Sequence, residues 1–494
     1  MGKNKPIFYN ALMLTAINLL LRFVSTSFQI YLSGMIGAAG IGLLQLVLSV
    51  GTLTLTVGMG GIRTATMYLS AETVGQKRQE RMIWVLSGCI LYSVLLSSGT
   101  AIVLYHFAPV IAGQWIGESA TTGAVKLLSF FLPVNCLCGV MVGYFTGVGK
   151  IGTLAIVEIA EQFFSILTTI LLLTLWAGEN PPQACCSVII GSGFGACFTL
   201  VTLLILKSRE STTTSRWFSV RKQLLETAVP LAIADNVKAG ISTTENLMVP
   251  KRLALYPGAV SPMATFGMVC GMVFPILMFP VAILFGLVEL LIPELARCNA
   301  AGSNTRIRHL TERSLLLALI YGTFCGGILF ITAETLCAKL YSTPEAGKYL
   351  RLFAVLAPML YCDAIIDAIT KGLGQQKSCV RYNIITSSLD VIILYILLPE
   401  YGITGYYISF LSTHLLNFVL SARLLFKIVG KVIRFHTTVF CIISSICAIY
   451  FVSSIQHDIA RCLVFSCAYF LMLIFTGVIK KYDIVWFEGL LKNK

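Results

Sequence analysis

Apolar runs of roughly 20 residues recur from one end of this sequence to the other, and a helix of about that length crosses the hydrocarbon core of a bilayer. No other feature narrows the fold so far. The runs are continuous rather than alternating, which excludes the strands of a membrane β-barrel. Backbone polar groups in hydrocarbon must then be satisfied inside helices. The gaps between runs are short. The longest polar stretch, Lys207 to Lys222, is only a loop, so no large soluble domain fits between the runs. Composition agrees. Of 494 residues, 57% are hydrophobic and 12% charged, whereas soluble domains carry about 25% charged residues. The mean hydropathy is +0.85.

The expected fold is an all-α integral membrane protein of about fourteen transmembrane helices. They fall at 8–33, 41–69, 83–107, 124–147, 153–176, 185–206, 224–250, 262–292, 311–337, 349–371, 382–398, 404–426, 437–455 and 461–480. The first run is too long for the apolar core of a cleaved signal peptide and reads as a retained helix. Charge tests the count. With the N-terminus in the cytosol, alternation puts 25 Lys and Arg on the cytosolic side and seven on the other. That asymmetry is the positive-inside rule, and it predicts an even helix number with both termini cytosolic. It also accounts for the net charge of +14. There is no basic domain and no basic–aromatic interleaving, so no nucleic-acid partner is expected.

The chain also repeats itself. LPVNCLCGVMVGYFTGVGK contains Pro133, Gly147 and Gly149, and APMLYCDAIIDAITKGLGQ contains Pro358, Gly372 and Gly374. All three pairs lie 225 residues apart, as do Gly42 and Gly267. An offset of six helices predicts two six-helix lobes of like orientation, 1–210 and 211–430, related by a pseudo-two-fold axis along the membrane normal. An extra helix pair and a short cytosolic tail, 431–494, follow. Parallel repeats of this kind build secondary transporters, with the substrate site between the halves.

Ionisable side chains in mid-membrane cost about 2.5–3.5 kcal/mol even on lenient scales, so they mark cavities or partners. Asn18, Arg22, Ser25 and Gln29 share one face of helix one. Asp235, Lys238, Ser242, Glu245 and Asn246 form a similar stripe on helix seven, and helix two adds Thr52, Thr56 and Arg63. Three such stripes point to a water-filled cavity between the halves; alternatively, Asp235 and Lys238 simply neutralise each other. Asp363 and Asp367 are four apart on helix ten, and either bind a coupling cation or are satisfied locally. Asp390 is a third candidate of this type. Glu158, Glu161, Glu289, Glu294 and Arg297 read as interfacial residues or a gate, and His414 as an interior histidine. Gly139, Gly143 and Gly147 have the spacing of close helix packing, and Pro275, Pro280 and Pro293 predict a bent helix eight.

The sixteen cysteines lack metal-ligand spacing and read as packing residues. Lys150 follows a glycine pair but not in phosphate-loop spacing, and no HExxH or GxSxG occurs. No cofactor, metal or covalent catalysis is expected.

GAAGIGLLQLVLSVGTLTLTVGMGGIRTATMYLSAE, Gly37 to Glu72, resembles the second helix of the stage V sporulation protein B-like flippases of the multidrug/oligosaccharidyl-lipid/polysaccharide (MOP) exporter superfamily. NLMVPKRLALYPGAVSPMATFGMVCGMVFPILMFPVAILFGLVELLIPELA, Asn246 to Ala296, resembles helices seven and eight of that family. The resemblance implies a V-shaped pair of lobes around a cavity lined by helices one, two, seven and eight. It implies a polysaccharide- or cell-wall-precursor flippase of the bacterial cytoplasmic membrane. Its substrate would be a lipid-linked saccharide of the undecaprenyl-pyrophosphate type, moved by alternating access with Na+ or H+ as coupling ion. Arg22 and Arg63 stand on the helices whose arginines serve the lipid II flippase branch, and Lys251 and Arg252 match a basic pair of the sporulation branch. The acidic helix-one site of the drug antiporters is not matched, because Asn18 and Arg22 occupy that stripe. The expected substrate set is thus Arg22, Arg63, Lys238, Asn18, Gln29, Glu245 and Arg252, and the ion-coupling set Asp235, Asp363, Asp367 and Asp390. The rivals are a cation-coupled multidrug exporter and a membrane-embedded glycan polymerase or ligase. The latter is disfavoured by the short outer loops.

Overall fold

The structure, a computed structural model, describes residues 5–76, 81–178, 180–208, 221–430, 432 and 435–478. Many of the loop cations counted above (Lys3, Lys77, Arg78, Arg209, Arg216, Lys431, Arg434, Lys480, Lys481, Lys492 and Lys494) lie outside the described residues. Within them every regular element is a helix, with no strand.

Helix α1 (Lys5–Met59) carries the first expected span and most of the second, joined across Gly37, whose φ of 67° and ψ of 179° break the helical run. The second span does not continue to residue 69. Gly60 and Gly61 adopt φ of 48° and 71°, a left-handed pair that side-chain-bearing residues disfavour, and α2 (Ile62–Gly75) starts anew. The Tyr92 hydroxyl donates to the Gly60 carbonyl at 3.1 Å, satisfying one acceptor at the break. Next come α3 (Met82–Val110), a π-helical turn (Ile111–Ile116), α4 (Thr122–Gly147), α5 (Ile151–Leu172), α6 (Pro181–Ser208) and α7 (Arg221–Leu253).

The expected bend in span eight is present. Pro262–Met278 comprises α8 (Pro262–Phe266), a π-helical stretch (Gly267–Val273) and α9 (Phe274–Met278). It meets α10 (Val281–Ala300) at 55°. Pro280 lies at the break and has no amide to continue the ladder. After α11 (Asn304–Tyr341), span ten is bent as well: α12 (Pro344–Ala354) and α13 (Ala357–Gly372) meet at 57°. The chain closes with α14 (Gln376–Tyr401), α15 (Ile403–Val429), α16 (Phe435–Phe451) and α17 (Asp458–Phe475). Every expected span has a helical counterpart. By length and apolarity, however, nine helices among the described residues qualify as crossings, or eleven if each bent pair is one. The charged α7 and the short α16 account for part of the shortfall from fourteen.

The chain divides into two compact units. One comprises Met1–Gly271 with Ser387–Tyr406, the other Met272–Thr386 with Tyr407–Lys494. In the first, α4 is packed between α2, α3 and α6. A Cβ on Gly147 would stand 2.5 Å from the Met67 carbonyl oxygen and 2.9 Å from Ser70 Cβ, so α2 and α4 touch backbone to backbone. Ile62, Leu69, Val85 and Val140 fill the space around this contact.

In the second unit, α13 packs on α10 and α11. A Cβ on Gly372 would meet the Ile292 carbonyl oxygen at 3.0 Å and Leu295 Cβ at 3.1 Å. Ile292 and Leu295 are the counterparts of Met67 and Ser70 at the 225-residue offset, so each unit contains the same helix crossing. The turns after α4 and α13 match too. Gly149 and Gly374 have φ of 83° and 80°. The amides of Lys150 and Gln375 reach back to Phe145 and Thr370, each at 2.9 Å, the closing bond of a Schellman-type helix end. The extra pair α16–α17 docks on α11. Ser445 Oγ donates to the Thr323 carbonyl at 3.2 Å, and the Tyr469 hydroxyl lies 2.5 Å from Thr323 Oγ1, beneath Phe465.

Candidate functional site

Nine of the eleven candidate residues fall in the first unit; only Asp363 and Asp367 fall in the second. The four residues of the α1 stripe all lie on one continuous helix. Asn18 is exposed, while Arg22 and Gln29 are half-buried. Gln29 Nε2 donates to the Gly271 carbonyl at 3.1 Å, which ties α1 to the π-helical stretch after α8. On α5, Gln162 Nε2 donates to Ser25 Oγ at 2.6 Å and to the Leu21 carbonyl at 3.2 Å.

Arg63 is exposed in the first turn of α2, just past the Gly60–Gly61 break. Its charge interacts with that of half-buried Glu158, one turn before Gln162 on α5. Because α2 begins at Ile62, Arg63 also stands at a positive helix-dipole end, where anions are favoured. Glu158 and Gln162 thus lie alongside the polar residues of α1 and α2, whereas the sequence reads Glu158 as an interfacial residue or part of a gate and does not single out Gln162. Their i, i+4 spacing was the available signal. Glu161 turns away and accepts from Thr199 of α6 at 2.7 Å. Thr52 and Thr56 spend their hydroxyls on carbonyls of their own helix, at 2.9 and 2.8 Å.

On α7, Asp235 and Lys238 are both exposed and no ion pair joins them. Further along, Thr243 Oγ1 donates to the Ser49 carbonyl at 3.1 Å and Asn246 Nδ2 to Ser49 Oγ at 3.0 Å, fastening α7 to α1. Between them, Glu245 hydrogen-bonds the carboxyl of Asp390 on α14, which is only 7% exposed. Two carboxylates side by side repel each other. Tyr406 and Cys270 adjoin the pair, with the hydroxyl and Sγ 3.9 Å apart. Arg252 is occupied locally. Its Nε and Nη2 donate to the Tyr395 carbonyl at 3.1 and 2.8 Å, and its guanidinium lies 3.7 Å from the Tyr395 ring centroid.

In the second unit the two carboxylates of α13 have separate partners. Asp363 Oδ2 accepts from Asn417 Nδ2 of α15 at 3.0 Å, and the Oδ1 atom of each is buried with no partner among the described residues. Asp367 instead pairs with Lys371 at 2.5 Å. Among the described residues no group of three His, Cys, Asp or Glu side chains could hold a metal ion.

The chain shares its all-helical fold with solved transporters of the MOP superfamily. The lipid II flippase MurJ in an inward closed conformation superimposes with a TM-score of 0.67 at 13% identity, over 95% of this chain and 98% of that one. An inward-facing multidrug resistance MATE family transporter of the MOP superfamily gives 0.66 at 12%, over 90% and 100%. In sequence, the chain is a homologue of stage V sporulation protein B of Bacillus subtilis (strain 168), 22% identical over 432 residues, 84% of this chain and 83% of that protein. Sporulation protein YkvU of the same organism is 24% identical over 274 residues, 54% of this chain and 61% of its own length. No family model matches.

Proposed function

We propose that the chain is a flippase for a lipid-linked oligosaccharide or cell-wall precursor, carried on a pyrophosphate of the undecaprenyl type, in a bacterial cytoplasmic membrane. One observation carries the reading. Arg22 on α1 and Arg63 in the first turn of α2 stand on the same unit, beside the uncharged hydrogen-bonding groups of Ser25, Gln29 and Gln162. Guanidinium forks hold phosphate oxygens in pairs, and amides and hydroxyls suit the hydroxyls of a glycan. The names of the similar proteins, a lipid II flippase and a sporulation protein, support the same reading. Lys238, exposed on α7, adds a third cation, and Asn18 a further amide.

The two repeats, 1–210 and 211–430, are the lobes that alternate access to the two leaflets, and both termini face the cytosol. The Glu245–Asp390 pair takes up the coupling H+ or Na+, with Asp235 and Asp363 as further acidic candidates. Arg252, held on Tyr395, orients α7 against α14. The buried acid pair is also the observation that favours a second reading, a cation-coupled drug exporter, which the likeness to the MATE transporter supports.

Translocation of a lipid-linked oligosaccharide in proteoliposomes tests the first reading. Replacing Arg22 and Arg63 together by Ala abolishes translocation while membrane insertion is unchanged. Full translocation by that double variant rules out the phosphate clamp, and efflux of a cationic dye by the wild type with no lipid translocation selects the exporter.

A further inference from the structure

The last turn of α2, the residue before α3 and the first turn of α7 are joined by a chain of side chains. Arg81 Nη2 donates to Gln223 Oε1, and Gln223 Nε2 donates to Glu72 Oε2 at 2.6 Å. The other carboxylate oxygen of Glu72 accepts from Gln76 Nε2 at 2.8 Å. The Gln223 amide fits only one way round, its oxygen toward the cation and its nitrogen toward the anion. Glu72, Arg81 and Gln223 are all half-buried, so both charge-assisted bonds are screened less than at an open surface.

Further along the same helices the contact is apolar. Leu224 and Ala228 of α7 are buried with Ile62, Ala65 and Leu69 of α2 and Cys89 of α3. A Cβ on Gly61 would stand 2.5 Å from the Ala228 carbonyl oxygen and 3.0 Å from the Ala232 amide, so α7 meets the start of α2 backbone to backbone. The internal repeat shows that the bridge is more than a property of this turn. Arg306, 225 residues after Arg81, donates through its own Nη2 to Glu294 of α10 at 2.6 Å, inside its own repeat. Arg81 sends the same nitrogen out of its repeat, to the helix that opens the next one.

We propose that Glu72, Gln223 and Arg81 form a latch at the cytosolic end of α2, α3 and α7. Bridged, it holds α7 against α2 and α3, with the apolar cluster as the seal behind it. Released, it lets α7 part from them and opens that side to cargo. The proposal rests on the alternating-access reading and its topology, and it names the contact that breaks when the cytosolic side opens. Gln223 is the central member, because its one amide carries both bonds.

Alkylation of the full chain by N-ethylmaleimide, followed cysteine by cysteine by mass spectrometry in detergent, tests it. Cys89 lies in the seal, and Cys337, buried in α11 of the second unit, is the control. Gln223→Glu sets a second carboxylate beside Glu72, and like charges repel. Losing a hydrogen bond to a charged group raises the open population about tenfold, so Cys89 is modified faster by that factor while Cys337 keeps its wild-type rate. Adding Glu72→Gln turns the acceptor that faces position 223 into a donor and restores the wild-type rate at Cys89. Arg81→Gln also speeds Cys89, and it decides the matter if Gln223→Glu does not fold. An unchanged Cys89 rate, no rescue by the second substitution, or equal acceleration of Cys337 overturns the latch. No cargo enters the assay, so such a result leaves the flippase reading intact, and a chain that fails to flip lipid still shows the latch.

Discussion

Gly42 and Gly267, 225 residues apart and equivalent in the internal repeat, lie against each other. A Cβ on Gly42 would stand 2.4 Å from the Met263 carbonyl oxygen and 3.2 Å from the Gly267 amide. A Cβ on Gly267 would stand 1.9 Å from the Ala38 carbonyl oxygen and 2.7 Å from the Gly42 amide. Ala38 and Met263 are themselves one repeat apart. The contact is therefore reciprocal, each residue meeting the counterpart of its own partner's neighbour. Reciprocity of this kind is what two like surfaces meeting about a two-fold would give.

Because the obstructing atoms are backbone, no rotamer change relieves a side chain there. Gly267→Ala and Gly42→Ala should each destabilise the protein by about 1–3 kcal/mol, the usual range for overpacking. The double variant should cost less than the sum, since one displacement of the helices serves both methyl groups. Thermal melting in detergent reads this out. Gly34→Ala is the control, because its Cβ would meet nothing within 4 Å. Equal melting of Gly267→Ala and Gly34→Ala would mean that the helices do not cross at this point.

The Glu245–Asp390 pair gives a second prediction. If one proton is held between the carboxyls, Glu245→Gln or Asp390→Asn keeps a hydrogen bond but removes the exchangeable proton. Ion-driven translocation should fall by about tenfold in either single variant, and the double variant should be no slower than the worse single. The coupling between the sites should be about 1–3 kcal/mol. Proteoliposomes under an imposed pH or Na+ gradient supply the measurement; additive losses would show two independent acids.

Parts of this arrangement are legible in the sequence because they depend on spacing. The glycine offset forecasts the doubled crossings at Gly147 and Gly372, and the i, i+4, i+7, i+11 spacing of Asn18, Arg22, Ser25 and Gln29 forecasts one face of α1. What is not legible depends on tertiary neighbours. A run of glycines at 58, 60 and 61 is compatible with a tightly packed straight helix. The break at Gly60–Gly61 becomes apparent only once Tyr92 from α3 is seen bonding the freed carbonyl. Likewise Asp363 and Asp367 share a helix face, but Asn417 and Lys371 claim them separately. Glu158 comes to interact with Arg63 only because α5 is laid beside α1.

Arg252 distinguishes a structural cation from a substrate-binding one. Its guanidinium makes two bonds to one carbonyl and stacks on the ring of Tyr395, geometry that an ammonium cannot reproduce. Arg252→Lys should therefore lower stability by about 1–2 kcal/mol, and Tyr395→Leu, which keeps the carbonyl, by about 0.5–1 kcal/mol. Both should leave the KM for the proposed lipid-linked substrate unchanged. A raised KM with unaltered melting in Arg252→Lys would return this residue to the substrate site.

Asp363 and Asp367 sit one turn apart, but their removal should have unlike consequences. Asp367 pairs with Lys371 where both side chains are about a third exposed, 33% and 39%, so solvent screens the attraction. An i, i+4 pair of this kind contributes about 0.3–0.5 kcal/mol, and Asp367→Asn should be nearly silent in melting. Asp363 holds an asparagine that is only 8% exposed. Asp363→Ala strands that buried amide, at about 1–3 kcal/mol, whereas Asp363→Asn keeps a hydrogen-bonding group in place and should recover most of the loss. If Asp363→Asn melts like wild type yet no longer translocates, the carboxylate itself is needed for transport. Equal sensitivity of the two aspartates in both assays would instead mean that they act as one site, as their shared helix face suggests.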